Sequence, residues 1–180
     1  NTNEAALRLK IPRGYESEEI KRCNLALKSV LCCKYAYVRV PVEFKEAGIC
    51  NLGFGDIESR DLCTALCGCQ EAYILGVTIG IKADMLIKRL EIASPAEAFI
   101  TDALASAAAE SLCELADDTL RGVGKKPIRF SPGYGDLPLS VQPAVLAVLN
   151  ADYTLGIALS PSFLMTPMKS VTAIMGILPN

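Results

Sequence analysis

The run Ser94-Pro95-Ala96-Glu97, followed by an Ala-rich stretch, constrains this fold more than any other segment. Ser94 suits an N-cap, Pro95 the first helical position and Glu97 the third. The pattern predicts a helix over about 95–120, the longest in the chain. Ala103, Ala105, Ala107, Ala108 and Ala109 carry little side-chain bulk. Such a helix can approach a sheet or another helix closely, so the remaining sequence must supply that surface.

The other segments are shorter. Ser17-Glu18-Glu19-Ile20 resembles a helix start, and apolar residues continue to about 33. Residues 1–12 have no definite type. Positions 37–44 read as a strand with Val38, Val40, Val42 and Phe44 on one face. Pro41 within it argues for a sheet edge or a bulge. Gly48, Gly53 and Gly55 mark a loop ending at Asp56, and Ser59 can cap a helix over 60–66. The continuous apolar run 72–80 reads as a buried strand, and 83–90 as a helix. A basic, Gly-containing linker covers 121–126, and a further helix covers about 140–150. The last two strands are expected at 155–159 and 170–177, paired antiparallel across a short loop. Strands and helices interleave without a regular repeat. The expected fold class is therefore α+β: a single domain over 1–180, with a mainly antiparallel sheet and flanking helices.

Composition excludes several functions. Eighteen basic against 20 acidic residues leave a net charge of −2, which gives no electrostatic footing for nucleic acid. No apolar run approaches the roughly 18 residues of a membrane span. Residues 1–10 lack the apolar core of a signal peptide, so the expected location is cytoplasmic. The eight Cys then read as reduced thiols. His is absent, which removes any His-based triad, general base or metal ligand.

The chemistry gathers at Ile128-Arg129-Phe130-Ser131-Pro132-Gly133-Tyr134-Gly135-Asp136. Gly133 and Gly135 let a ligand approach bare backbone. Arg129 offers a planar fork of donors for a carboxylate, and Tyr134 a flat ring. Together they suit a small zwitterion with an aromatic part. The same residues also fit a plain turn between strand and helix, with Arg129 solvated. Neither Gly133-Tyr134-Gly135 nor Gly53-Phe54-Gly55 has the third Gly of a dinucleotide fingerprint. On the long helix, Glu110, Glu114, Asp117 and Asp118 lie three or four residues apart. They fit either a solvated face or a row of acid–base groups. Cys63, Cys67 and Cys69, completed by Cys32 and Cys33, outline a thiol redox or metal site. Their spacing does not match common zinc or iron–sulfur ligation.

Two spaced motifs carry a resemblance. Arg129-Phe130-Ser131-Pro132-Gly133-Tyr134 fits an Arg-x-x-x-Gly-Tyr signature. The segment from Leu159 to Val171 is similar to Leu-Thr-x-Ser-x-x-Met-x-Pro-x-x-Ser-Val. Both resemble the activation (reactivation) domain of cobalamin-dependent methionine synthase, and the likeness is best over 95–178. The resemblance implies one α+β unit around an antiparallel sheet that binds S-adenosylmethionine. It implies remethylation of a cobalamin held by another protein, with an electron from a flavodoxin-type donor. The expectation is thus a stand-alone accessory domain docking on a corrinoid-binding protein or a shortened methionine synthase. By the same resemblance, Arg129 pairs with the ligand carboxylate, and Ser131, Gly133 and Tyr134 offer backbone and ring contacts. An acidic ligand contact of the family falls on Ser106 here, with Glu110 one turn later as its replacement. The family's aromatic contact after the final strand has no counterpart up to Asn180. These departures leave open a second expectation, a ligand-free scaffold or docking subunit of a corrinoid methyltransferase system.

Overall fold

The computed structural model describes residues 2–10, 17–45, 48–120 and 128–178. The expected basic linker over 121–126, and Pro127, lie outside these. Helix α1 (Thr2–Leu9) opens the chain, where the sequence suggested no definite element. Helix α2 (Glu18–Lys28) starts as expected, with the Ser17 side chain accepting from the Ile20 N–H at 3.2 Å. Strand β1 (Lys34–Pro41) then breaks at Val42 before the short β2 (Glu43–Phe44). The Gly-marked loop is in fact a small antiparallel sheet, because β3 (Ile49–Asn51) pairs with both β2 and β4 (Asp56–Glu58). Helix α3 (Arg60–Ala65) is capped by Ser59, whose hydroxyl accepts from the Leu62 N–H at 3.0 Å.

Strand β5 (Glu71–Thr78) leads into α4 (Ile81–Ala93) and then α5 (Pro95–Leu120), the long helix the sequence predicts. The Glu97 carboxylate does not turn back on its own helix; it pairs with Arg22 of α2. After β6 (Arg129–Phe130) come a 3-10 turn (Leu139–Val141), α6 (Gln142–Val148) and α7 (Ala151–Thr154). The chain ends with β7 (Ala158–Leu159), β8 (Met165–Thr166) and β9 (Ser170–Ile177). The expected pairing of the last two strands is corrected. β7 pairs with β8, inside the stretch read as a loop, while β9 runs antiparallel between β5 and β6. The eight-residue apolar β9 finds a full-length partner in β5, which a two-residue strand cannot offer.

The main sheet has the order β1-β5-β9-β6, all antiparallel, with β1 at an edge as Pro41 requires. Alternation along the strands divides the apolar residues into two cores. Leu75, Val77 and Met175 face α1, α2, α4 and α5. Val40, Ile74 and Ile174 face α3, α6 and the buried Leu149 and Leu155. Val38 and Val42 join this second core, but Phe44 stands exposed beyond it. Helix α5 buries Ala98, Ala103, Ala105, Ala107, Ala109 and Ala116, so its small residues set the spacing between the helical layer and the sheet.

Glycines within the central strands mark close packing. A Cβ at Gly176 would lie 2.5 Å from Cys69 Sγ and 3.2 Å from Leu66 Cδ2. Gly176→Ala should therefore cost about 1–3 kcal/mol through overpacking. Urea unfolding checks this, and adding Cys69→Ala should recover part of the loss by removing the obstructing sulfur.

Candidate functional site

The site begins with strand alternation. Arg129 pairs in register with Met175, and Phe130 with Ile174. Met175 faces the helical layer and Ile174 the opposite core. Arg129 therefore points at α5, while Phe130 packs on the other side. On α5, Glu110, Cys113 and Asp117 follow one another at three- and four-residue spacing and share a face. Arg129 Nε lies 3.2 Å from Asp117 Oδ2, and Nη2 lies 3.5 Å from Glu110 Oε2. The Asp117 side chain is 4% exposed, against 29% for Arg129 and 33% for Glu110.

The long-helix carboxylates are thus neither a uniform solvated face nor a continuous row. Glu114 and Asp118 are exposed, whereas Glu110 and Asp117 turn inward to the guanidinium. Burial works to lower the Arg129 pKa, but Asp117, Cys113 and Glu110 together outweigh it and hold the guanidinium charged. Burial, helped by Glu110, pushes the Cys113 thiol up to about 12, so it serves as apolar packing beside the pair.

The loop after β6 is braced from within and from α3. The Tyr134 N–H donates to Ser131 O at 3.0 Å, and the Gly133 N–H donates to Leu137 O at 2.9 Å. Gly133 and Gly135 have φ of 90° and 53°, where a side chain is disfavoured, and a Cβ on Gly135 would strike the Asp61 carboxylate. Ser131 is half-buried, Gly133 is exposed, and Tyr134 presents its ring to solvent.

Asp136 closes the loop. Its carboxylate accepts from the Ser59 hydroxyl, from the Arg60 N–H at 2.8 Å and from the Asp61 N–H at 3.2 Å. Its own N–H donates to Asp61 Oδ2 at 3.2 Å. Asp136 therefore satisfies the open N–H groups at the start of α3. The Ser59 hydroxyl bond, opposed by some desolvation and aided by the Arg60 and Asp61 amides, holds its carboxyl below the usual carboxylate range.

Ser106, one turn before Glu110 on α5, is engaged from another segment. Its hydroxyl accepts from Lys169 Nζ at 2.9 Å, and Lys169 pairs with Asp102 at 2.7 Å. A lysine from the Leu159–Val171 segment thus stands where the resemblance places an acid. Asp84, which the sequence did not single out, anchors the same segment by accepting from the Met168 N–H at 2.6 Å. Only its burial, at 6% exposure, reveals it.

The four-thiolate site that Cys32 and Cys33 would complete does not form. Cys32 bonds Ile79 across the start of β1, whereas Cys69 packs on Gly176 at the other end of the sheet. Eight residues of β1 separate the two ends, about 25 Å. Among the described residues no group of three or more His, Cys, Asp or Glu is arranged to hold a metal. No described helix is long and apolar enough to cross a membrane.

The Asp136 clamp has a signed pH dependence. Its folded pKa is depressed, so its contribution is full above the unfolded value of about 3.9 and disappears as pH falls through the lower folded value. Asp136→Asn should lower Tm at neutral pH and flatten the acid limb of a Tm-against-pH series. An unchanged acid limb would contradict the clamp.

In comparison with known proteins, no family model matches the chain, and no curated protein matches it. Among solved structures, the crystal structure of the MetH reactivation domain bound to AdoHcy superposes with a TM-score of 0.75. The alignment covers 99% of this chain and 74% of that one, at 15% sequence identity. At that identity the likeness speaks for the backbone arrangement: the chain has the fold of the methionine synthase reactivation domain, as its two motifs led us to expect.

Proposed function

We propose that this chain acts as a stand-alone cytoplasmic unit that binds S-adenosylmethionine at the Arg129–Tyr134 loop. There it supports reductive remethylation of a cobalamin held by a separate corrinoid protein, with a flavodoxin-type donor supplying the electron. The carrying observation is the cluster of Arg129 with Glu110 and Asp117 beside that loop. The half-exposed Glu110 carboxylate beside Arg129 is an acid that a ligand cation can reach. A sulfonium amino acid carries one net positive charge, so Glu110 favours it. AdoHcy, the ligand of the structural neighbour, is a net-neutral zwitterion and gains less.

The two ion pairs differ in the way this reading needs. Asp117 is buried and holds Nε at 3.2 Å, which fixes the guanidinium plane. Glu110 stands 3.5 Å from Nη2, beyond the usual N–H···O range of about 2.7–3.2 Å. A ligand carboxylate can take the Nη2 end at better distance. Glu110 is then released toward the ligand's ammonium or sulfonium. Ser131 and Gly133 would offer backbone, and the exposed Tyr134 ring would offer a face to the adenosine or the cation. S-adenosylmethionine, when bound, supplies an electrophilic methyl group; the protein's part is to hold, orient and present it.

A second reading is favoured by Arg129 Nε on buried Asp117, and by Lys169 on Ser106. In it, Arg129 is a strut and the chain a scaffold or docking subunit of a corrinoid methyltransferase system.

Calorimetric titration separates the two. On the first reading, S-adenosylmethionine binds more tightly than AdoHcy, and added salt narrows the difference. Arg129→Ala should weaken binding about 10- to 100-fold, the worth of charge-assisted hydrogen bonds. Glu110→Gln should chiefly erase the preference over AdoHcy. On the second, the folded wild type binds neither ligand, and Arg129→Ala costs about 2 kcal/mol of stability by leaving Asp117 without its guanidinium.

A further inference from the structure

A groove of about 450 Å³ lies where the end of α2, the start of β1, the start of α4 and the turn after α7 meet. The backbone draws these segments together. The Cys32 N–H donates to Ile79 O at 2.9 Å, and Lys34 is in register with Thr78. A Cβ on Gly80 would lie 2.9 Å from Cys32 Cβ and 3.2 Å from its carbonyl oxygen, so a glycine there lets α4 begin against the chain that enters β1. Lys34 stands on one side of this contact and Lys82 on the other, and both line the groove.

The lining divides into two kinds of chemistry. Val30, Leu31, Ile81, Leu155 and Pro167 supply an apolar wall. The two lysines are exposed, and neither forms an ion pair among the described residues. No acidic side chain lines the groove among those residues. Asp84, on the first turn of α4, is buried and turns a carboxylate oxygen to the Met168 N–H instead. Two cations thus border one space for which the chain provides no counter-charge, and their long stems let the ammonium groups converge on a shared partner.

We propose that this groove binds a small organic phosphate monoester, with the phosphate between Lys34 and Lys82 and an apolar body against Val30, Ile81 and Leu155. A phosphate monoester carries a charge of about −1.5 to −2 at neutral pH, which answers both ammonium groups, whereas a carboxylate answers one. The volume falls within the range of roughly 300–1,000 Å³ usual for small-molecule sites. None of the lining residues belongs to the Arg129–Tyr134 loop, so the site is independent of the S-adenosylmethionine reading.

The test titrates the full chain with naphthyl phosphate, naphthoate and naphthol, followed by calorimetry. The phosphate should bind most tightly and naphthol most weakly, and added salt should weaken the phosphate most. Lys34→Met and Lys82→Met should each weaken naphthyl phosphate about tenfold, the worth of one charge-assisted hydrogen bond. Both side chains are exposed, so both variants should fold as the wild type does, which circular dichroism checks. Lys88→Met, on α4 but outside the groove, should leave binding unchanged. Ile81→Ser should weaken naphthyl phosphate but not inorganic phosphate. The proposal is overturned if the folded wild type binds no naphthyl phosphate, or if Lys88→Met weakens it as much as Lys82→Met. It is also overturned if Arg129→Ala removes binding while the groove variants keep it. Attachment to vesicles containing phosphatidate, without binding of the free ester, would overturn it in favour of a lipid surface.

Discussion

The guanidinium of Arg129 holds the fourth strand of the sheet in place. Strand β6 has only two register pairs with β9, too few backbone bonds to fix a chain segment by themselves. Its side chain reaches across to α5 and meets a carboxylate that is almost wholly buried. Burying Asp117 is costly alone, and the nearby cation offsets that cost. The edge of the sheet, the long helix and the start of the Gly133–Gly135 loop are therefore interdependent. The other end of the loop is fixed separately by Asp136 on α3, so both ends of a short Gly-rich turn are held by charge.

The two-sided sheet explains why a cationic site can exist beside so much apolar surface. Alternation sends Arg129 to the helical layer and Phe130 to the opposite core, with no change in backbone direction. Shifting β6 by one register position would exchange these side chains and place a guanidinium among Ile174 and its neighbours. The hydrophobic pattern of β9 thus specifies the electrostatics of its neighbour.

Long, strongly patterned elements were legible in the sequence. Helix α5 followed from its Pro at the first turn and its Ala content, β5 from continuous apolar character, and α3 from the Ser59 cap. The β2–β3–β4 sheet was not legible, because strands of two or three residues show no alternation to read. Pairing of β7 with β8 was hidden for the same reason. At the site, Arg129, Gly133 and Tyr134 stood out through residue type and spacing. Asp117 did not, since a row of acids at helical spacing looks the same in sequence whether it meets water or a guanidinium. Ser59 was read as a helix cap, but its bond to Asp136 spans 77 residues and belongs to tertiary structure.

Strand β1 ends the sheet among the described residues, and what lies along it bears on solubility. An unpaired strand edge is a template on which other chains can add and aggregate. Here the strand opens with Lys34 and closes with Pro41, which has no N–H to offer. Midway, Arg39 is engaged by Glu71 of the next strand. Exposed Tyr35 and Tyr37 give the edge apolar surface, with Tyr37 packed edge-on against Tyr73 at 5.7 Å. An incoming strand would meet a missing donor at one end and would have to desolvate a charged side chain at the other. The proline that interrupts the β-pattern of the sequence thus acts as a guard against fibre-like growth along the sheet.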